Sequence, residues 1–153
     1  ADFSLAARFS AEVMFPKRDV YICSVHPYVV AMGPVWGCLM ARNWAVSLRA
    51  ADAFIHYAEK KAKSELSIGL AARAIANRDA AAFAGCLPLL IKTHVRFRAS
   101  GMYRFLPDHH YVSQIGVALV NIARSRGLAV PSSGPLIPEE LCIPVAEQEL
   151  SVT

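Results

Sequence analysis

Phe83, Leu87, Leu90, His94 and Phe97 recur at steps of four, three, four and three residues. That spacing returns once per helical turn and sets all five on one side of an α-helix, whereas a strand would divide them between two faces. The run opens after "NRD" (77–79), a polar turn. Pro88 falls inside it and is expected to kink the helix, at a cost of about 3 kcal/mol if unrelieved. A chain with this pattern at its centre is constrained to bury one face of a helix against others of its kind.

The rest of the sequence offers the same period. Residues 3–14 read as a first helix, with Phe3, Ala6, Ala7, Phe9 and Val13 apolar, and "FPKRDVY" (15–21) as a break at Pro16. Pro27 suits the first turn of a second helix running to about Arg42, with Gly33-Pro34 an expected kink. Asn43 is a candidate N-cap for a third helix from Trp44, whose stripe is Trp44, Leu48, Ala51, Ile55 and Ala58. Ser64 is expected to cap a fourth helix over 65–76. The last long helix is placed at 110–125, with Ile115, Ala118, Leu119 and Ile122 in register. Gly127 is its C′ residue. Four prolines at 131, 135, 138 and 144 then predict an extended tail with a short turn at "PEEL". "LAVP" and "DVYICSV" hold β-formers but stand isolated. The expected fold is all-α: antiparallel helical hairpins packed as a bundle or short tetratricopeptide-like array, with an extended Pro-rich C-terminal tail.

Length and composition narrow the class. At 153 residues one helical domain is the simplest division, with residues 1–38 unplaced, 39–143 a helical region and 144–153 a tail. The hydrophobic share is 55% and the mean hydropathy +0.35, much of it from alanine. The most apolar stretch, residues 25–41, is shorter than the roughly 20 residues a bilayer span needs, and holds two prolines and two glycines. A buried hairpin is the reading, and no membrane association is expected. The opening residues lack a basic segment followed by an apolar block, so no signal peptide is visible. Cysteines at 23, 38, 86 and 142 have neither zinc spacing nor the density of a disulfide scaffold, which favours reduced, buried thiols and a cytoplasmic location. The net charge of +4 raises nucleic acid as a partner, but "EKKAK" and "HVRFR" are interrupted clusters that suit a solvated helix face instead.

"MARNWAVSL" (40–48) and "IANRDAAAF" (75–83) align at an offset of 35 residues, each an apolar helix end, an Asn/Arg turn and a new helix. Spacing near 34 belongs to tetratricopeptide-like helical hairpins, although the full consensus is absent.

Little in the chain looks like catalytic chemistry. Asp108, His109 and His110 are adjacent, and neighbours in a turn point apart. No nucleophile elbow, phosphate cradle or His pair four apart accompanies them, so neither a hydrolytic triad nor a zinc site is expected. Asp108 is read as the N-cap of the last long helix. His26, His56 and His94 are isolated, and packing is the reading for Trp36 and Trp44. The stretch "GMYRFLPDHHY" combines a loop with aromatic and arginine anchors of the kind that concentrate at interfaces.

The C-terminal third, "RDAAAFAGCLPLLIKTHVRF" and "HHYVSQIGVALVNIARSRGLAVPSSGPLIPEEL", resembles helical immunity proteins of bacterial polymorphic-toxin systems. The nearest are the Immunity protein 49 family and the nuclease-immunity group with a PoNi-like C-terminal domain. Asp79 and Phe83 match an acid with an apolar residue four on. Ala123, Gly127, Leu128 and Val130 match a helix-ending pattern, and Pro135, Ile137, Pro138 and Leu141 a following one. Asn43, Trp44 and Ser47 match an upstream turn. The resemblance spans 39–143, leaves 1–38 unmatched, and differs from nuclease immunity proteins in its basic charge. It implies a non-enzymatic protein without cofactor or metal that neutralises a cognate, possibly acidic, toxin. The expected contact residues are Tyr103, Arg104, Phe105, Asp108, His109 and Tyr111, with Arg96 and Arg98 beside them. The alternatives are a helical-repeat adaptor binding a peptide and, third, a small hydrolase or metal-dependent enzyme using His109, His110 and His94.

Overall fold

The computed structural model describes residues 27–101, 111–131 and 134–143. Among them the fold is all-α, with five helices, two 3-10 turns and no strand. The helices are α1 (Pro27–Met40), α2 (Trp44–Lys61), α3 (Leu66–Ala76), α4 (Ala80–Ala99) and α5 (Gln114–Ser125). The expected first helix, the break at 15–21, Cys23, His26 and the tail from 144 lie outside the described residues. The chain divides into two compact units, the first through Asn77 and the second from Arg78.

In the first unit α2 packs against both α1 and α3, so α1–α2 and α2–α3 are successive hairpins. Asn43 caps α2 as expected, its side chain accepting from the Val46 amide at 3.3 Å. Of the predicted stripe, Ala51, Ile55 and Ala58 are buried while Trp44 and Leu48 are half-buried. The face is turned towards Ser47 and Phe54, which are fully covered. Ser47 is tolerated because its hydroxyl donates to the Asn43 carbonyl at 2.8 Å. Trp36 is likewise half-buried. Small residues let α3 come close: a Cβ on Gly69 would lie 2.8 Å from Ile55 Cγ1 and 2.9 Å from Phe54 Cδ1. Ser64 does not cap α3. It sits within the 3-10 turn Lys63–Glu65, and Glu65 takes the cap position without a side-chain bond.

In the second unit α4 buries Phe83, Cys86, Leu87, Leu90, His94 and Phe97, the face that the spacing predicts. Asp79 caps it, accepting from the Ala82 amide at 2.8 Å. Helix α4 stays continuous through Pro88, as α1 does through Pro34, and Pro88 is on the exposed side. Helix α5 begins at Gln114 rather than 110. Its N-cap is Ser113, whose hydroxyl accepts from the Gly116 amide at 3.2 Å, so Asp108 is not the cap of this helix. The buried face of α5 is Gly116, Leu119, Val120, Ile122, Ala123 and Arg124, with Ile115 and Ala118 half-buried. Its end is a Schellman motif: Gly127 has φ +81°, its amide donates to Arg124 O at 2.8 Å, and Leu128 N donates to Ala123 O at 3.1 Å.

The prolines after α5 do not leave residues 134–143 unattached. Ile137 is fully buried, its Cδ1 2.7 Å from where a Gly116 Cβ would stand. The short turn expected at "PEEL" is the 3-10 turn Glu139–Leu141. Arg124 fastens it. Its Nε donates to Val130 O at 3.1 Å, Nη1 to Glu139 Oε1 at 2.6 Å and to Ile143 O at 2.7 Å, and Nη2 to Glu139 Oε2 at 2.8 Å. Asn121 adds a second clasp, donating to Leu141 O at 3.1 Å and accepting from Ile143 N at 2.6 Å.

Candidate partner-binding surface

Helix α4 has no acidic residue and no charge before Lys92. Its buried stripe therefore leaves an opposite side that is apolar as well. Ala81, Ala82, Gly85, Pro88, Leu89, Val95 and Ala99 are exposed there, with Lys92 and Arg96 among them. A surface helix ordinarily turns a charged face to water, and a helix apolar all round is one that something covers. Leu89 is 46% exposed and Val95 39%. The basic residues gather in the last turns, where Arg96 and Arg98 also complement the negative end of the helix dipole.

Five large apolar side chains are exposed among the described residues: Leu89, Val95, Tyr111, Leu141 and Ile143. All five follow Arg78. Two are on α4, one lies just ahead of α5 and two belong to the segment that Arg124 and Asn121 fasten. Single exposed apolar residues are ordinary; Leu89 and Val95 share α4 with the exposed basic residues Lys92, Arg96 and Arg98.

Of the predicted contact residues, Arg96, Arg98 and Tyr111 are exposed, and Tyr111 at 75% is the most open of the large apolar side chains. Tyr103, Arg104, Phe105, Asp108 and His109 lie outside the described residues, as does His110. Sequence reasoning passed over Leu89, Lys92 and Val95. Their signal was present in the charge-free run 80–91: once Phe83, Leu87 and Leu90 define the inner face, an equally apolar outer face follows.

The candidate chemical groups are dispersed. His94 is buried within the α4 stripe, while His56 is exposed on α2 and accepts from Lys60 Nζ at 2.9 Å. Cys38, Cys86 and Cys142 are buried and reduced. Burial pushes the Cys38 and Cys142 thiols above their ordinary range, against the opposing pull of Arg49 and Arg124 respectively. Protonated, enclosed thiols are poor nucleophiles. Among the described residues no three His, Cys, Asp or Glu side chains gather closely enough to hold a metal ion, and no helix is long and apolar enough to cross a membrane. Comparison with protein-family models, with curated proteins and with solved structures finds no match to this chain.

Proposed function

We propose that this chain is a non-catalytic binding protein that grips another protein through its second unit, and that it acts as an immunity protein against a bacterial toxin. The observation that carries the binding reading is that the exposed large apolar side chains among the described residues all belong to that unit, with Leu89 and Val95 on the same helix as Lys92, Arg96 and Arg98. Such a surface suits a partner that brings apolar anchors ringed by acids, with electrostatic steering speeding the encounter. The toxin reading rests on the sequence resemblance. The residues that carry it are structural: Asp79 caps α4, Gly127 closes α5, and Leu128, Val130 and Ile137 are buried.

The test is protection of cells. Candidate bacterial toxin domains are expressed in turn with the wild-type chain or with the double variant Leu89→Glu, Val95→Glu. Wild type is expected to rescue growth. The double variant, folded by circular dichroism, is expected to lose rescue. Equal rescue by both would remove this face from the interaction, and absence of rescue by wild type would remove the immunity reading.

A second reading, a helical-repeat adaptor, has its own observation. It is supported by a correspondence at 36 residues, beside the 35 of the sequence alignment. Arg42 and Arg78 are the two non-glycine residues of positive φ among the described residues, at +55° and +57°, and Asn43 and Asp79 are the N-caps that follow. Val35, Cys38 and Leu39 on α1 then correspond to Ala71, Ala74 and Ile75 on α3, all buried. Ser47, Ala51, Phe54 and Ala58 on α2 likewise correspond to Phe83, Leu87, Leu90 and His94 on α4. An adaptor of this kind would bind peptides of several sequences, whereas an immunity protein would bind one toxin tightly.

A further inference from the structure

Residues 134–143 are bound to the second unit much as a separate peptide would be. Two side chains anchor them: Ile137, fully buried against Gly116, and Cys142. The hydrogen bonds that hold them end on Ser113, Asn121 and Arg124, at the start of α5 and along it. Ser113 N donates to Leu136 O at 2.7 Å, and Asn121 clasps Leu141 O and Ile143 N. Arg124 holds Ile143 O and the Glu139 carboxylate. Recognition is thus mainly of main-chain atoms, with Ile137 and Glu139 supplying the side-chain fit, as in the capture of an extended peptide.

The segment also brings its own turns. Ile137 N donates to Gly134 O at 3.0 Å, Leu141 N to Pro138 O at 3.2 Å and Cys142 N to Glu139 O at 2.9 Å. The shape that fits α5 is therefore built within the segment, and the same segment of another copy would make the same bonds. Only the connection differs between the two arrangements. Pro131 and Pro135 bracket it, and each fixes its own φ and biases the preceding residue away from the helical region. The return to α5 passes through Gly134, whose φ of +72° a β-branched residue adopts only with strain.

We propose that residues 134–143 are an exchangeable strap: in a dimer of this chain, each copy's strap lies on α5 of the other. Exchange conserves the groove bonds, so the balance is set by the connection and by concentration. A short tether gives the closed form an effective concentration of about millimolar order, so the wild type is expected to be a monomer when dilute. The strap carries Leu141 and Ile143, and exchange moves these two exposed apolar side chains onto a second copy. Nothing in this depends on a toxin, and the test uses the chain alone.

The test is charge reversal in two chains, with mass measured by light scattering after size exclusion. Arg124→Glu reverses the groove and Glu139→Arg reverses the strap, so each variant alone sets like charges together. Mixed, the two chains restore an opposite pair in both grooves of an exchanged dimer. The equimolar mixture is expected at twice the 16.6 kDa of one chain, and each variant alone at 16.6 kDa. A mixture that stays monomeric, with both variants folded by circular dichroism, would overturn the strap. Gly134→Val leaves the groove untouched and decides the matter if the reversed groove does not fold. It is expected to strain the closed form and lower the concentration at which the dimer forms by about tenfold or more. Gly134→Val no more dimeric than the wild type would equally overturn the exchange.

Discussion

The two units of this molecule close their cores by different means, and their surfaces differ accordingly. Before Asn77 the described helices pack through small residues, with Gly69 against Phe54 and Ile55, and none of the large apolar side chains described between residues 32 and 77 is fully exposed. After Arg78 the core is completed by a segment without regular helix, fastened by a buried arginine, and five large apolar side chains remain open to solvent. The first unit is finished as a helical packing problem. The second displays large apolar side chains among its described residues, the feature on which the binding proposal rests.

The contrast breaks if both units fail in the same way. Phe54→Ala and Phe83→Ala are expected to cost about 3–5 kcal/mol each, since both rings are fully enclosed. Denaturant melts of the two variants should follow different transitions if the units unfold separately, and one shared transition would join them into a single cooperative body. Arg124→Ala is expected next, at about 2 kcal/mol, because the buried Val130 carbonyl loses its donor while Glu139, half-exposed, returns to water. Glu139→Gln should cost no more than about 1 kcal/mol for the same reason of screening. Limited proteolysis near residue 140 reads the difference: fast cleavage in Arg124→Ala and little change in Glu139→Gln.

Caps sharpen the comparison at smaller scale. Asp79→Ala is expected to cost about 1 kcal/mol and Asn43→Ala less, following the range for caps and the shorter bond at Asp79. The smallest effect concerns the thiols. The raised values of Cys38 and Cys142 mean that folding favours their protonated form. Their contribution to stability is complete below the ordinary thiol range and is lost as pH rises through the folded values. Alkylation of the native chain by iodoacetamide at neutral pH should accordingly be slow at both positions and accelerate only on unfolding.

How far the sequence could be read follows from which interactions are periodic. The inner face of α4 was legible because Phe83, Leu87, Leu90, His94 and Phe97 obey a helical step, and Asn43 and Gly127 because their chemistry suits one backbone role. Ser64 and Asp108 misled for a related reason. Several residues near a helix start have capping chemistry, and the one that caps is decided by where the backbone leaves the helix, which is Ser113 for α5. The sequence alignment at 35 leans on alanine matching alanine, whereas the positive-φ arginines 42 and 78 and the N-caps that follow them stand 36 apart. Arg124 was passed over because arginine is seldom buried unless paired, and its partner lies 15 residues away in a proline-rich stretch. The outer face of α4 was legible in the charge-free run 80–91, which leaves both sides of the helix apolar there.

The affinity for a toxin domain that the wild-type chain neutralises, measured by calorimetry on the wild type, Leu89→Ala and an α2 surface variant, Glu59→Ala, bears most directly on the proposed role of the exposed face of α4. Leu89→Ala is expected to weaken binding about tenfold, in the range of an interface anchor, with Glu59→Ala unchanged. Equal affinity for all three proteins would contradict a binding role for that face.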